Sequence, residues 1–507
     1  MNLLKDDWIP VRSLSEEGRS KISLRQLLCN EKKWEVSLPR DDMELAALQL
    51  LVCIVQVLFM PGTLPELKQR IIKPLSAQEY DAVIGSYYDW FQVDHPKYPF
   101  MQIRGVSANE ITPMDKLLAG LNSATCSCFV NESGIGSILC GGCAAIALFN
   151  QASCAPSFGG GFKAGLRGNA PITTLIQGPH LRQTVWRNVL CKDYVLSQFP
   201  WFEKTATENP VWIDPIRAGE TILPQMIGVA RGLFWQPAHV ALVPSDTASV
   251  CACCGVSSQE IYAGFKKEKF KYDVNGTWPH PHSPRIMSTK EGKIHESAAS
   301  FKTAAPSWTQ LSRFVVIQQM NNNIPGQQPA SIMLQARQFF GHLLFLVGGY
   351  RNNQASILER RHEVFTLNHG WESNTESIHY MVQLGFGYKD SLYKALHVFV
   401  KGIKGTKGAG IRLDQIAEMQ FFRRSEPIVQ DALARIDFAD PASTVAEMQE
   451  SLQRLVKDIF DEAIRPYLQD PELIKTMATA RRMLNKHLRN LEPQQDKGGK
   501  NDGTAAA

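Results

Sequence analysis

The residues with the most sharply defined chemistry are two Cys-x-x-Cys units, Cys140-Gly-Gly-Cys143 and Cys251-Ala-Cys-Cys254. Two residues between cysteines, with glycine between or after them, make a knuckle that aims both sulfurs at one ion. Two knuckles supply the four thiolates of a closed tetrahedral zinc site, which stabilises a fold and leaves no position for a water nucleophile. The units lie about a hundred residues apart, far beyond zinc-ribbon spacing, so two unrelated buried cysteine pairs are the alternative. Cys253 could replace a neighbour as ligand, and Cys126 and Cys128 are spaced too closely for the same knuckle.

Ser157-Phe-Gly-Gly-Gly-Phe-Lys-Ala-Gly-Leu-Arg-Gly168 is a glycine-rich loop with two aromatics and two cations. Glycines let backbone approach a ligand closely, and Lys163 and Arg167 suit phosphates. No Gly-Lys-Ser/Thr follows, so it is not a Walker loop, and a plain connector is the alternative. Lys267, Lys269 and Lys271 share one face if extended, as a solvated strand or a phosphate contact. Tyr350-Arg-Asn-Asn-Gln354 concentrates amides that can read base edges or stabilise a turn. Trp278-Pro-His280-Pro-His282 reads as a rigid loop rather than a metal site. No His-Glu-x-x-His, Gly-x-Ser-x-Gly or Walker motif occurs. Asp470-Pro-Glu-Leu-Ile-Lys475 reads as a helix start, with carboxylates at its N-terminus.

These residues sit in a chain of 507 residues with net charge +5 and ordinary globular composition. The mild charge excess permits nucleic-acid binding only where the cations cluster. Residues 1–374 read as a large mixed α/β body with long loops and no strand–helix alternation, an α+β arrangement. The run Leu45 to Met60 reads as a core helix capped by Asp41, with Glu44 three positions on. From 375 to 493 the periodicity is helical and implies a four-helix bundle. Its first two helices cover about Ile378 to Val400 and Leu413 to Ile436, flanking a stretch, 401–410, too glycine-rich for helix. A third stripe runs through Val445, Met448, Leu452, Leu455, Val456, Ile459, Phe460 and Ala463; a fourth through Leu473, Ile474, Met477, Leu484, Leu488 and Leu491. On the last helix Lys475, Arg482, Lys486 and Arg489 share the face opposite the leucines, a soluble surface or a polyanion contact. Residues 494–507 read as a disordered tail. Lys5, Asp6 and Asp7 interrupt any export signal, which implies a cytoplasmic protein with reduced cysteines.

Taken together, the segments Leu38-Pro-Arg-Asp-Asp-Met-Glu-Leu-Ala46, Cys140-Gly-Gly-Cys143, Phe158-Gly-Gly-Gly-Phe162, Gly232-Leu-Phe-Trp-Gln-Pro-Ala-His239, Trp278-Pro-His-Pro-His-Ser-Pro284 and Gly349 through His362 closely resemble one family. It is CasA, the large subunit of the type I-E CRISPR surveillance complex Cascade, and the likeness covers nearly the whole chain. The resemblance implies a non-catalytic subunit that recognises a protospacer-adjacent motif in duplex DNA from the minor groove and starts strand separation for guide RNA. Carried onto this sequence, Lys269 is a lysine finger. Ser157 through Gly160, with Gly159 and Gly160 in it, is a glycine loop, and Asn353, Gln354 and Ala355 are a wedge. Phe129, Val130 and Asn131 dock near the crRNA 5′ handle; Cys140, Cys143, Cys251 and Cys254 hold zinc. The basic face of the last helix guides displaced DNA. Implied partners are the other Cascade subunits, crRNA, target duplex and a helicase–nuclease. Ser157 stands where the family pattern has glycine, and would weaken motif reading if that backbone needs positive φ. The rival readings are a scaffold without its own DNA reading and a zinc-containing nuclease.

Overall fold

The computed structural model describes residues 1–15, 17–121, 134–290, 292–321, 324–407 and 412–491. They fall into two compact units, Met1–Ala304 with Arg313–Leu367, and Ala305–Ser312 with Asn368–Ala507.

In the first unit a small antiparallel sheet places β1 (Ile9–Ser13) between β2 (Arg19–Ile22) and β3 (Trp34–Val36). The long apolar run forms helix α1 (Asp41–Leu58), buried along most of its length. Its start departs from expectation. Arg40 is the N-cap and makes no side-chain cap bond, so Asp41 is already helical. The Glu44 carboxylate accepts the Leu38 amide at 3.0 Å. Asp41, Asp42 and Glu44 still favour the positive end of the helix.

Two further antiparallel sheets frame the candidate site. In one, β4 (Leu139–Cys140) and β6 (His239–Pro244) both pair with β7 (Ile261–Glu268). In the other, β5 (Thr173–Ile176) pairs with β8 (Leu343–Asn353), which pairs with β9 (Ser356–Leu367). Helix α2 (Gly141–Phe149), buried at every residue, follows β4 and packs on α1. Antiparallel sheets with separate helices make the body α+β, in line with the absence of alternation in the sequence.

The second unit contains α3 (Thr375–Lys407), α4 (Leu413–Arg435), α5 (Ala442–Ile464) and α6 (Ile474–Arg489). Helix α3 packs against the other three, and α4 also packs on α5. The α5 stripe is buried from Met448 to Phe460, with Val445 and Ala463 at its half-exposed ends. In the α6 stripe Ile474 is instead exposed at 58%, because it opens the helix one position off the Leu473–Met477 row.

The glycine-rich stretch after Val400 is helical through Lys407, against expectation, and 408–411 lie outside the described residues. Glycine in a helix costs about 1 kcal/mol relative to alanine, but here close packing demands it. A Cβ on Gly402 would lie 2.2 Å from Thr476 Cγ2 of α6, and one on Gly385 2.6 Å from the Trp308 ring. No helix among the described residues is long and apolar enough to cross a membrane.

Candidate nucleic-acid interface and metal centre

Antiparallel pairing solves the long cysteine spacing. Ile261 of β7 sits opposite Cys140 of β4, which delivers the turn preceding β7 to the start of α2. The Cys140, Cys143, Cys251 and Cys254 sulfurs lie within 4.8 Å of one another. The Cys140–Cys254 distance is 3.8 Å, about the sulfur–sulfur edge of a tetrahedron with zinc–sulfur bonds of roughly 2.3 Å. The Cys140 amide also donates to Cys251 Sγ at 3.3 Å. The knuckle glycines have separate duties. Gly255 takes φ +74° to close the second turn, whereas a Cβ on Gly142 would strike the Trp8 carbonyl at 2.7 Å. Hydrogen bonds from the Cys143, Cys251 and Cys254 thiols lower Cys140 far below its usual value, with Lys21 contributing. Lys21 Nζ lies 2.9 Å from Cys140 Sγ. Burial works against its charge, yet the thiolate cluster raises its pKa. This donor set fits zinc, a closed structural ion whose thiolate charge Lys21 would partly offset. No local sequence signal marks Lys21. Cys253 is buried but outside the four-sulfur group, and Cys126 and Cys128 lie outside the described residues.

Next to β7 the glycine loop has a backbone that only glycine holds without strain. Gly159, Gly160 and Gly161 take φ of +75°, +55° and +87° in succession. Ser157 is not in the left-handed region, so the backbone there makes no demand for glycine. Phe158 fastens the loop, packing on Phe162 at 5.4 Å and on buried Phe265 of β7 at 5.8 Å. The two loop cations are not free for phosphates, contrary to expectation. Lys163 pairs with Asp273 at 2.8 Å. Arg167 is buried, and its guanidinium donates to Ser153 O, Ser153 Oγ, Thr173 Oγ1, Ser283 Oγ and Gln49 Oε1 at 2.8–3.2 Å. It ties the two ends of the loop together.

Asn353, Gln354 and Ala355, the expected wedge, occupy the tip of the β8–β9 hairpin. Asn353 pairs with Ser356, and Gln354-Ala355 is a two-residue turn. Such turns require positive φ, and Gln354 supplies it at +52°. Asn353 and Gln354 are exposed. Beneath the hairpin is a buried polar network. Arg40 binds Asp42 at 2.6 Å, Tyr350 donates to Asp42 at 2.8 Å, and Asn150 donates to Tyr350 at 2.8 Å. Burial would raise the Asp42 pKa, but the Arg40 guanidinium outweighs it and keeps the carboxyl below its usual value.

Lys269, the glycine loop and the hairpin tip meet. Exposed Lys269 donates to the Gly160 carbonyl at 3.0 Å. A Cβ built on Gly159 would lie 3.1 Å from Ala355 Cβ. Lys271 lies beyond the end of β7, while Lys267 sits over the Phe158 and Phe162 rings at 4.4 and 5.4 Å. The three lysines therefore do not form one solvated row.

A family model for CRISPR-associated protein Cse1 matches residues 2–459. The chain belongs to the Cse1 family. Solved structures of similar fold include Thermobifida fusca Cse1, with TM-score 0.75 and 15% identity over 96% of this chain and 98% of that one. Thermus thermophilus CasA (Cse1) matches with TM-score 0.70 and 15% identity over 96% and 99%. A chain of a CRISPR RNA-guided surveillance complex matches with TM-score 0.66 and 15% identity over 96% and 99%.

Elsewhere in this Cse1-family chain, His280 and His282 are buried. His282 Nε2 donates to the Asn188 carbonyl and Nδ1 accepts from Gln49, so the ring is a neutral strut, as a rigid loop requires. Phe129, Val130 and Asn131 lie outside the described residues. Lys475, Arg482, Lys486 and Arg489 are exposed on α6 and enter no ion pair among the described residues, whereas neighbouring Arg481 pairs with Asp461.

Proposed function

We propose that this Cse1-family protein is a non-catalytic subunit of an RNA-guided surveillance complex that reads a short motif in duplex DNA and wedges the duplex open there. The observation that carries the reading is the meeting of Lys269, Gly159–Gly160 and the Asn353–Gln354–Ala355 tip on one surface. The lysine enters the minor groove, and the side-chain-free loop lies against it. The minor-groove pattern is degenerate, so motif variants are tolerated. The hairpin tip presses between base pairs at a cost of a few kcal/mol per unstacked step, offset by DNA contacts and RNA pairing. The exposed α6 cations hold displaced strand through its phosphates, and Phe129, Val130 and Asn131 dock at the crRNA 5′ handle. Other Cascade subunits and crRNA are the resident partners, a recruited helicase–nuclease does the cutting, and zinc in the four-cysteine site is structural.

Two assays test this in the assembled complex. A fluorescent base analogue beside the motif brightens on strand opening with the wild-type chain and stays dark with Gln354→Ala. Duplex incubated with the purified chain, Mg²⁺ and Mn²⁺ stays intact. Cleavage that co-purifies with the chain, or opening unaffected by the substitution, overturns the reading.

A further inference from the structure

Between the glycine loop and the hairpin tip lies a cavity of about 150 Å³. Its walls include Ser157, Phe158 and Ala355, and two lysines, Lys116 and Lys267, border it. Lys267 is half-buried, its ammonium held over the Phe158 ring at 4.4 Å and the Phe162 ring at 5.4 Å. Aromatic faces attract the cation but do not neutralise it. Neither lysine makes an ion pair with a carboxylate among the described residues. Burial lowers the Lys267 pKa, and the positive charge of Lys116 lowers it further, so the pair is a site of uncompensated positive potential. The third polar group is Ser157. Its oxygen accepts the Gly159 amide at 3.5 Å, which leaves its proton available to an anion.

We propose that this cleft seats one backbone phosphate of the target duplex, held by Lys116 and Lys267 with the Ser157 hydroxyl as a third donor. The inference rests on the DNA-reading function above and adds a contact of a different kind: it positions the duplex without reading sequence. It also gives the Ser157 hydroxyl a role at the mouth of the glycine loop. Two like charges beside a partly desolvated wall favour an anion over any neutral ligand, and a duplex on the neighbouring surface brings phosphates at high local concentration.

The test uses the assembled complex and one motif-bearing duplex, with affinity measured across a series of NaCl concentrations. Lys116→Gln removes an exposed charge without touching the core. Lys267→Met keeps the stem against Phe158 and removes only the ammonium. Together they lower the slope of log affinity against log salt by about 0.9, the loss of one phosphate contact. Affinity falls by a similar factor for every motif variant. A neutral methylphosphonate at the seated position lowers the wild-type slope equally and has no further effect on the double variant. An unchanged slope, or weakening confined to particular motifs, overturns the seat. Lys269→Ala is run alongside: if it loses motif-dependent binding while the double variant is unaffected, only the seat fails. If Lys269→Ala is silent as well, the DNA-reading function itself fails.

Discussion

Gln354 holds a left-handed backbone at φ +52° that glycine would adopt freely. A non-glycine residue there costs about 1 kcal/mol or more. Gln354→Gly is therefore expected to leave stability unchanged or raise it by about 1 kcal/mol in urea unfolding, while removing the side chain proposed to press into the duplex. A stability loss would show that the side chain serves the fold instead. Arg167 is the opposite case. Replacing it with methionine leaves Ser153, Thr173 and Ser283 without the donor that Arg167 supplies. The expected cost is roughly 2–4 kcal/mol, with weakened duplex binding as the glycine loop loses its closure. At this scale the sequence was legible where chemistry depends on spacing, as in the two cysteine knuckles. It was misleading where charge alone was read. Lys163 and Arg167 have phosphate-binding side chains, but partners distant in sequence, Asp273 and Ser283, claim them. Lys21 left no local trace, because only the pairing of β1 with β2 and the fold around it bring it to Cys140.

Among the elements, the β4–β7 pairing and α2 together bring the four cysteines to one place, so an ion bound there should hold these elements together. The purified chain is expected to carry about one zinc by metal analysis. Cys143→Ser is expected to lose it along with a lower unfolding midpoint, and a stable, metal-free wild-type chain would exclude the site. The rigid Trp278–Pro284 segment carries a pH signature. Burial, the largest effect, lowers His282 to about 3, with Arg167 adding to it. Unfolded histidine titrates near 6.5, so the unfolded chain binds a proton that the folded chain refuses. The stability contributed by neutral His282 is full above about pH 6.5 and is lost as pH falls towards 3. Urea midpoints measured across that window should fall, and His282→Gln should flatten the decline; an equal slope in both would show the titration lies elsewhere. Helical stripes such as Met448–Phe460 were readable from periodicity alone. The continuation of α3 through Gly402 was not, because Thr476 sits where a Cβ would point, and that crowding is tertiary.

At the scale of the whole molecule, the α+β body was legible because antiparallel sheets leave no alternating strand–helix rhythm. The insertion of Ala305–Ser312 into the second unit was invisible, since its anchor, Trp308 against Gly385, has no sequence periodicity. The six motif segments scattered along the chain converge on few places. Leu38–Ala46 and Gly349–His362 share the Asp42–Tyr350 network beneath the hairpin, and Phe158–Phe162 lies at its tip. The central claim is that this convergence reads DNA. Its most direct test is a binding series over motif variants at one fixed salt concentration, comparing assembled complexes that carry wild-type chain or the Lys269→Ala/Gln354→Ala double variant. The wild type should rank the motifs over a wide range of affinities. The double variant should bind all of them with one weak, sequence-independent affinity. A ranking that survives the double substitution would contradict the claim and make the chain a scaffold.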